Sequence, residues 1–155
     1  MSDQIAPIFF SSISLVTAVP QAALGTLRDE SIGSNVEKYI YVCNNGIAAT
    51  GVGVGLVRVA SSSAGLYSCT ASSLVGDMAI GFVKHVTIPP AEYGWALKRG
   101  LVNVTIASSA SSKSAAPMQM GIDGTVLTLV AGGVPVGHFT TIVVSGNAGS
   151  LYVNL

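Results

Sequence analysis

Glu37-Lys38-Tyr39-Ile40-Tyr41-Val42-Cys43, then Asn44-Asn45-Gly46, then the run from Ile47 to Val59 is the stretch of this 155-residue chain on which the fold turns. β-Branched and aromatic residues fill a strand-length segment, and Asn-Gly chemistry follows where a tight hairpin needs positive φ. The expectation is a hairpin with residues 47–59 as its return strand. Further along, Asp123-Gly124 separates Met118–Ile122 from Thr125–Gly132 and is a second hairpin signal. Turn-forming residues also cluster at Ser61–Ser63, Pro89-Pro90, Ser108–Ser114, Gly132-Gly133 and Gly146-Asn147. Many short strands with this punctuation predict an all-β fold, a compact β-barrel or β-sandwich of short antiparallel strands. Ala71–Met78 is the one acceptable helix candidate, and its Ser, Gly and Val content weakens it.

The length fits one domain. Residues 1–24 are hydrophobic without a helical stripe and are interrupted by Ser, Thr and Pro, so they are expected to form an extended hydrophobic N-terminal arm. Residues 25–155 are then a single β domain. Gly25–Asn35 carries Arg28, Asp29 and Glu30 and reads as an exposed loop, which puts the start of the folded body near Val36. Ile8–Val19 imitates the apolar region of a secretory signal. The residues before it hold Asp3 and neither Lys nor Arg, so a retained arm is the expectation, and the run is too short for a transmembrane helix.

Only 9% of the residues are charged, seven basic and seven acidic, against about 25% in ordinary soluble domains. Mean hydropathy is +0.63. A monomer of 15.7 kDa exposes roughly 7,300 Å² by mass scaling, which leaves about 500 Å² to each charge. A surface so poor in charge invites association, so much of it is expected to be covered by copies of the chain or by a partner. The basic residues are scattered, with Lys98-Arg99 the one adjacent pair, read as a strand edge or turn. No direct nucleic-acid binding is expected, because that requires a basic stripe. Cys43 and Cys69 lack CxxC spacing and read as buried free thiols, consistent with a reducing cytoplasm.

Residues that could carry chemistry are few. Gly51-Val52-Gly53-Val54-Gly55 lacks the Lys-Ser/Thr and helix start of a phosphate loop, and reads as a strand needing bulges or close backbone packing. Ser is plentiful and His85 and His138 are present, but no strand-to-helix GxSxG elbow accompanies them. Two His and two Cys without a close pair argue against a metal. Paired carboxylates could come only from Asp29, Glu30, Glu37, Asp77, Glu92 and Asp123, which the sequence does not bring together. The expectation is therefore a protein that is not an enzyme and uses no cofactor.

The most individual segment is Ile88-Pro89-Pro90-Ala91-Glu92-Tyr93-Gly94-Trp95, followed by Gly100 and the Val-rich Leu101–Val104. Pro90 is expected to end one strand, Gly94 to permit a bend, and Trp95, the single tryptophan, to anchor a strand–turn–strand corner or an interface. This unit of Pro, Tyr93-Gly94-Trp95 and Gly100 resembles a pattern in the head decoration (cement) proteins of tailed bacteriophages. Gly121–Val126 and Gly132–Val144 downstream, and Tyr39–Asn45 with Gly51–Val54 upstream, are similar more loosely, over residues 25 to 145. The long arm before Gly25 departs from the family pattern.

The resemblance implies a compact β subunit, often a homotrimer, on the outer surface of the virion head. There it would bridge major capsid proteins and stabilise the capsid against packaged DNA. Ile8, Phe9 and Phe10 are the expected apolar anchors of the arm on a capsid protein or an adjacent copy. The competing expectation is an oligomeric fibre-like or receptor-binding adhesin module. A small hydrolase and a secreted surface protein are further alternatives.

Overall fold

The computed structural model describes residues 12–59, 67–107, 116–141, 143 and 146–155. Ten strands run through them: β1 Leu27–Ile32, β2 Asn35–Asn44, β3 Gly55–Arg58, β4 Ser68–Ala71, β5 Ala79–Val83, β6 Tyr93–Thr105, β7 Pro117–Met120, β8 Val126–Thr128, β9 Gly137–Phe139 and β10 Ala148–Asn154. The expected all-β class is what the chain adopts. Among the described residues the helical content is one 3-10 turn, Ile122–Gly124. The second hairpin signal forms as read: β7 and β8 pair antiparallel with Met120 opposite Val126. Asp123 and Gly124 both take positive φ, 55° and 71°, in the turn between them.

The first hairpin does not form. β2 is a strand, but residues 47–54 do not return along it, and β3 pairs with β4 and β5 instead. The reason lies in Asn44, which is fully buried and acts as a hub rather than a turn residue. Its side-chain amide donates to the Ala48 and Ile88 carbonyls at 2.9 and 2.7 Å, and its oxygen accepts the Gly46 N–H at 3.0 Å. An Asx-type turn thus ties two loops to the end of β2 where the sequence suggested reversal.

Two further expectations need correction. Most of Gly25–Asn35 is not an exposed loop: Leu27–Ile32 pairs in full with Asn35–Ile40 across the tight Gly33-Ser34 turn, with Gly33 at φ 62°. Its charges sit on an edge strand, where they discourage pairing with other chains. The Ala71–Met78 candidate is β4's last residue and a loop, in which the Asp77 carboxylate accepts the Ser72 hydroxyl and the Leu74 N–H, both at 3.1 Å.

The strands form one continuous sheet ordered β1-β2-β4-β3-β5-β6-β10-β9-β7-β8, with β2 also paired to β6. That extra pairing closes β2, β4, β3, β5 and β6 into a ring. A ring with an odd number of strands cannot alternate direction throughout, so one junction must be parallel, and β2 with β4 is that junction. The other half repeats the solution: β6, β10, β9, β7 and β8 are antiparallel neighbours, and a parallel bridge between Ile106 and Val126 joins the last back to the end of the first. β6 is the strand common to both rings.

Packing follows from this sharing. A small core cluster takes Ile40, Val42, Leu56, Cys69, Val83 and Ala96, so every strand of the first ring contributes, with Ile88 added from a loop. The larger cluster takes the alternate residues Tyr39, Tyr41, Trp95 and Leu97 together with Val102, Met118, Phe139 and Leu151 of the second ring. β2 is therefore buried on both faces, which is why its sequence runs apolar without alternating. β6 changes regime along its length: Gly94–Leu97 is buried throughout, whereas beyond Arg99 exposed Leu101, Asn103 and Thr105 alternate with buried Val102 and Val104.

Candidate interaction surface

The segment Tyr93-Gly94-Trp95 opens β6 in the first ring, where Cys43 pairs with Tyr93 and Tyr41 with Trp95. It is not a strand–turn–strand corner. The reversal comes earlier, at Pro89–Glu92, where Ala91 holds φ 62° and the Glu92 N–H donates to the Pro89 carbonyl at 3.2 Å. β6 then runs unbroken through Lys98-Arg99 to Thr105. Gly94 serves close approach rather than a bend, since a Cβ there would lie 3.0 Å from Ile88 Cδ1 and 3.4 Å from Val16 Cγ2.

Trp95 is a core residue, 3% exposed. Its ring lies 4.9 Å from that of Tyr41, which stacks on Tyr93 at 6.2 Å, and the Arg28 guanidinium sits over the indole at 5.8 Å. The described part of the N-terminal arm is laid on this aromatic group. Thr17 and Tyr93 exchange backbone hydrogen bonds at 3.1 and 2.9 Å, and the Gln21 N–H donates to the Tyr41 hydroxyl at 3.0 Å. Ile13, Ala22 and Leu24 pack against the larger core. Ile8, Phe9 and Phe10 lie outside the described residues, as does Ser108–Ser114.

Gly100 marks where β6 passes from one ring to the other. Its φ of 136° is a conformation suited to glycine, and a Cβ there would meet the Glu37 side chain at 2.9 Å. Glu37 is 5% exposed and receives Lys84 Nζ on both carboxylate oxygens, at 2.5 and 2.6 Å. The Tyr39 hydroxyl donates to it at 2.6 Å and the Leu101 N–H at 3.4 Å. His85 Nε2 lies 2.8 Å from the same Tyr39 hydroxyl.

Burial opposes ionisation of Glu37, but the bonds from Lys84 and Tyr39 and the Lys84 charge together hold its carboxyl below the ordinary value. Burial, and then the neighbouring Glu37, push the Tyr39 phenol up. Burial and the Lys84 charge push His85 down, which favours the neutral imidazole at neutral pH. The sequence showed Glu37 only as one of seven scattered acids. An acid at the start of a run that is otherwise buried was the available signal, since such a charge must find a partner.

His85 is engaged with Tyr39, and His138 lies on the outer side of β9 with its ring 5.6 Å from that of Tyr152. Cys43 and Cys69 are both free and buried. Among the described residues, no three or more His, Cys, Asp or Glu side chains are grouped so as to hold a metal ion. Gly53 and Gly55 serve close packing, as read: a Cβ on Gly53 would lie 2.5 Å from the Asn103 carbonyl oxygen.

The scarcity of charge shows as exposed apolar side chains. Leu74, Val75 and Met78 in the β4–β5 loop are 65%, 57% and 71% exposed. Met78 also borders a mainly apolar groove of about 410 Å³ whose walls include Tyr67, Ile80, Val134, Pro135 and Leu155, with Lys98 among the lining residues. Apolar groups rimmed by few charges are the character of a surface that meets another macromolecule.

No protein family and no curated protein matches the sequence. In three dimensions the chain is similar to a β module of the bacteriophage head, the N base of the head fiber gp8.5 in bacteriophage phi29, known from a crystal structure. The TM-score is 0.55, the sequence identity 11%, and the match covers 75% of this chain and 94% of that one. At this identity the two share a fold.

Proposed function

We propose that this chain is a structural protein of a bacteriophage virion, associated with the head. In the fuller form of the reading it binds the outside of the assembled capsid as a homo-oligomer, bridges major capsid proteins, and stabilises the head against internal DNA pressure. It carries out no catalysis and uses no cofactor. The observation that carries the reading is the fold likeness to a head-fiber base over nearly all of that base. The low charge, the exposed Leu74, Val75 and Met78, and the resemblance of the Tyr93–Gly100 segment to decoration proteins support it.

The mechanism is linkage. A subunit that binds the assembled lattice and not its separated parts adds its binding free energy to the assembled state, about 2.7 kcal/mol per site at 100-fold its Kd. The arm residues Ile8, Phe9 and Phe10 are the anchors in this proposal.

Co-sedimentation of the purified chain with heads that lack it is the test. Removing residues 2–11 leaves the Thr17–Tyr93 bridge intact, so the body keeps its melting curve while head binding is lost. Unchanged occupancy on heads would remove the arm from the mechanism. The second reading, a fibre-like or receptor-binding module, gains support because the structural neighbour is itself part of a head fiber. It predicts a few copies at discrete positions under immunogold labelling, whereas a bridging protein covers the whole head.

A further inference from the structure

We infer that the outer face of the second ring is a binding site for an acidic sugar, a saccharide unit bearing a carboxylate. The inference stands on the geometry of that face and does not depend on the virion reading. Arg99 and Leu101 of β6, Tyr152 of β10 and His138 of β9 lie side by side across three strands, with Leu101 opposite Tyr152 and Tyr152 opposite His138. They line one cavity of about 420 Å³, within the 300–1,000 Å³ typical of small-molecule sites. Gly100 leaves its floor without a side chain, and Ser34 to Val36 at the β1–β2 turn wall it on one side.

Each part of this cavity suits a sugar. The His138 and Tyr152 rings, 5.6 Å apart and inclined by 37°, give an aromatic platform on which the C–H face of a pyranose can rest. Hydroxyls and amides adjoin it: Thr140 lines the same cavity, and the Ser150 hydroxyl next to it donates to Asn103 Oδ1 at 2.9 Å on the same exposed face. Arg99 supplies the selectivity for charge. Its Nε–H donates to the Tyr152 hydroxyl at 3.4 Å, which holds the guanidinium beside the platform. Arg99 takes part in none of the ion pairs among the described residues, which join Arg28 to Glu30, Lys38 to Asp29 and Lys84 to Glu37.

Asp29 acts on Arg99 electrostatically but its ion pair is with Lys38; in a chain with seven basic residues, a guanidinium that no carboxylate bonds, held next to two aromatic rings, is arranged to receive one. Guanidinium recognises a carboxylate through paired N–H donors. Glu37 also borders the cavity, but Lys84 already occupies both of its oxygens.

The test uses the full-length chain and ligand-observed NMR with methyl glucuronide, methyl glucoside and a short peptide with a free C-terminal carboxylate. Concentrations up to roughly 50 mM reveal any Kd in the millimolar range. The expected result is saturable binding of the glucuronide, about tenfold tighter than the glucoside and weakened by salt. Arg99→Ala removes that preference while leaving weak binding of both sugars, and Tyr152→Ala abolishes binding of both. Lys98→Ala, outside the cavity, changes nothing. Arg99 is exposed, so its variant folds and a negative result is not confused with unfolding. No binding of either sugar, a glucuronide preference that survives Arg99→Ala, or tighter binding of the peptide than of the glucuronide would overturn the inference.

Discussion

Replacing Glu37 with Ala removes the buried carboxylate at the seam of the two rings and leaves Lys84, the Tyr39 hydroxyl and the Leu101 N–H without that acceptor. Breaking a buried ion pair by deleting one partner costs about 3–5 kcal/mol. The Lys84 side chain is 21% exposed against 7% for Glu37, so the stranded ammonium can turn toward water, which puts the loss near the lower end, about 3 kcal/mol. For a chain of this length each kcal/mol moves Tm by about 2–4 °C, so the midpoint falls by about 6–12 °C. Urea unfolding followed by the fluorescence of the single tryptophan measures it.

The pH dependence gives a second, independent reading. Glu37 is held below its ordinary 4.5, so its contribution is complete above that value and is lost as pH falls through the folded-state value. His85 is held below 6.5, so between 6.5 and its folded-state value the unfolded chain takes up the proton first and stability falls with pH. Wild type therefore weakens in two stages on acidification. In Glu37→Ala the His85 stage persists and the Glu37 stage disappears, and the gap between the two proteins closes at acid pH, once pH has fallen below the folded-state value of Glu37. A difference under about 0.5 kcal/mol at neutral pH, the size of an ordinary surface substitution, or a gap of constant size down to that acid limit would refute the reasoning.

Trp95→Ala empties the aromatic group that holds Tyr41, Tyr93 and Arg28, and an unfolding midpoint by circular dichroism should show a loss of about 3–5 kcal/mol. A loss below about 1 kcal/mol would mean that Trp95 is not the core residue described. Burial, with Cys43 nearby, raises the Cys69 thiol to about 12, and burial raises Cys43 as well. Neither thiol should react with an aromatic disulfide reagent at neutral pH until the protein unfolds, when both react. Labelling of the native protein as fast as of the unfolded chain would contradict this.

What the sequence determined by itself is local. Val, Ile, Tyr and Thr at strand length, with Gly and Pro between them, specify β structure wherever the chain goes. Asp123-Gly124 specifies its hairpin because the two strands are neighbours in sequence and the turn residues supply the positive φ that joins them. The double-sided burial of β2 is also written in the unbroken apolar run Tyr39–Cys43, and the burial of Cys43 with it.

What the tertiary structure decided is which strand lies beside which. Asn44-Asn45-Gly46 has the chemistry of a hairpin, but the Asn44 side chain is fully buried and its amide must find acceptors, which it does at the Ala48 and Ile88 carbonyls, and satisfying it outweighs a local reversal. The Tyr93-Gly94-Trp95 unit could be singled out in the sequence, yet its place inside a continuous strand could not. β6 pairs with β2 and β5 at one end and β10 at the other, and closure of two odd-membered rings sets that register. The Glu37 seam and the Arg99 cavity arise in the same way. Their residues come from strands and loops far apart in the chain, and only non-local pairing brings the side chains together, whereas propensity and turn chemistry act over a few residues.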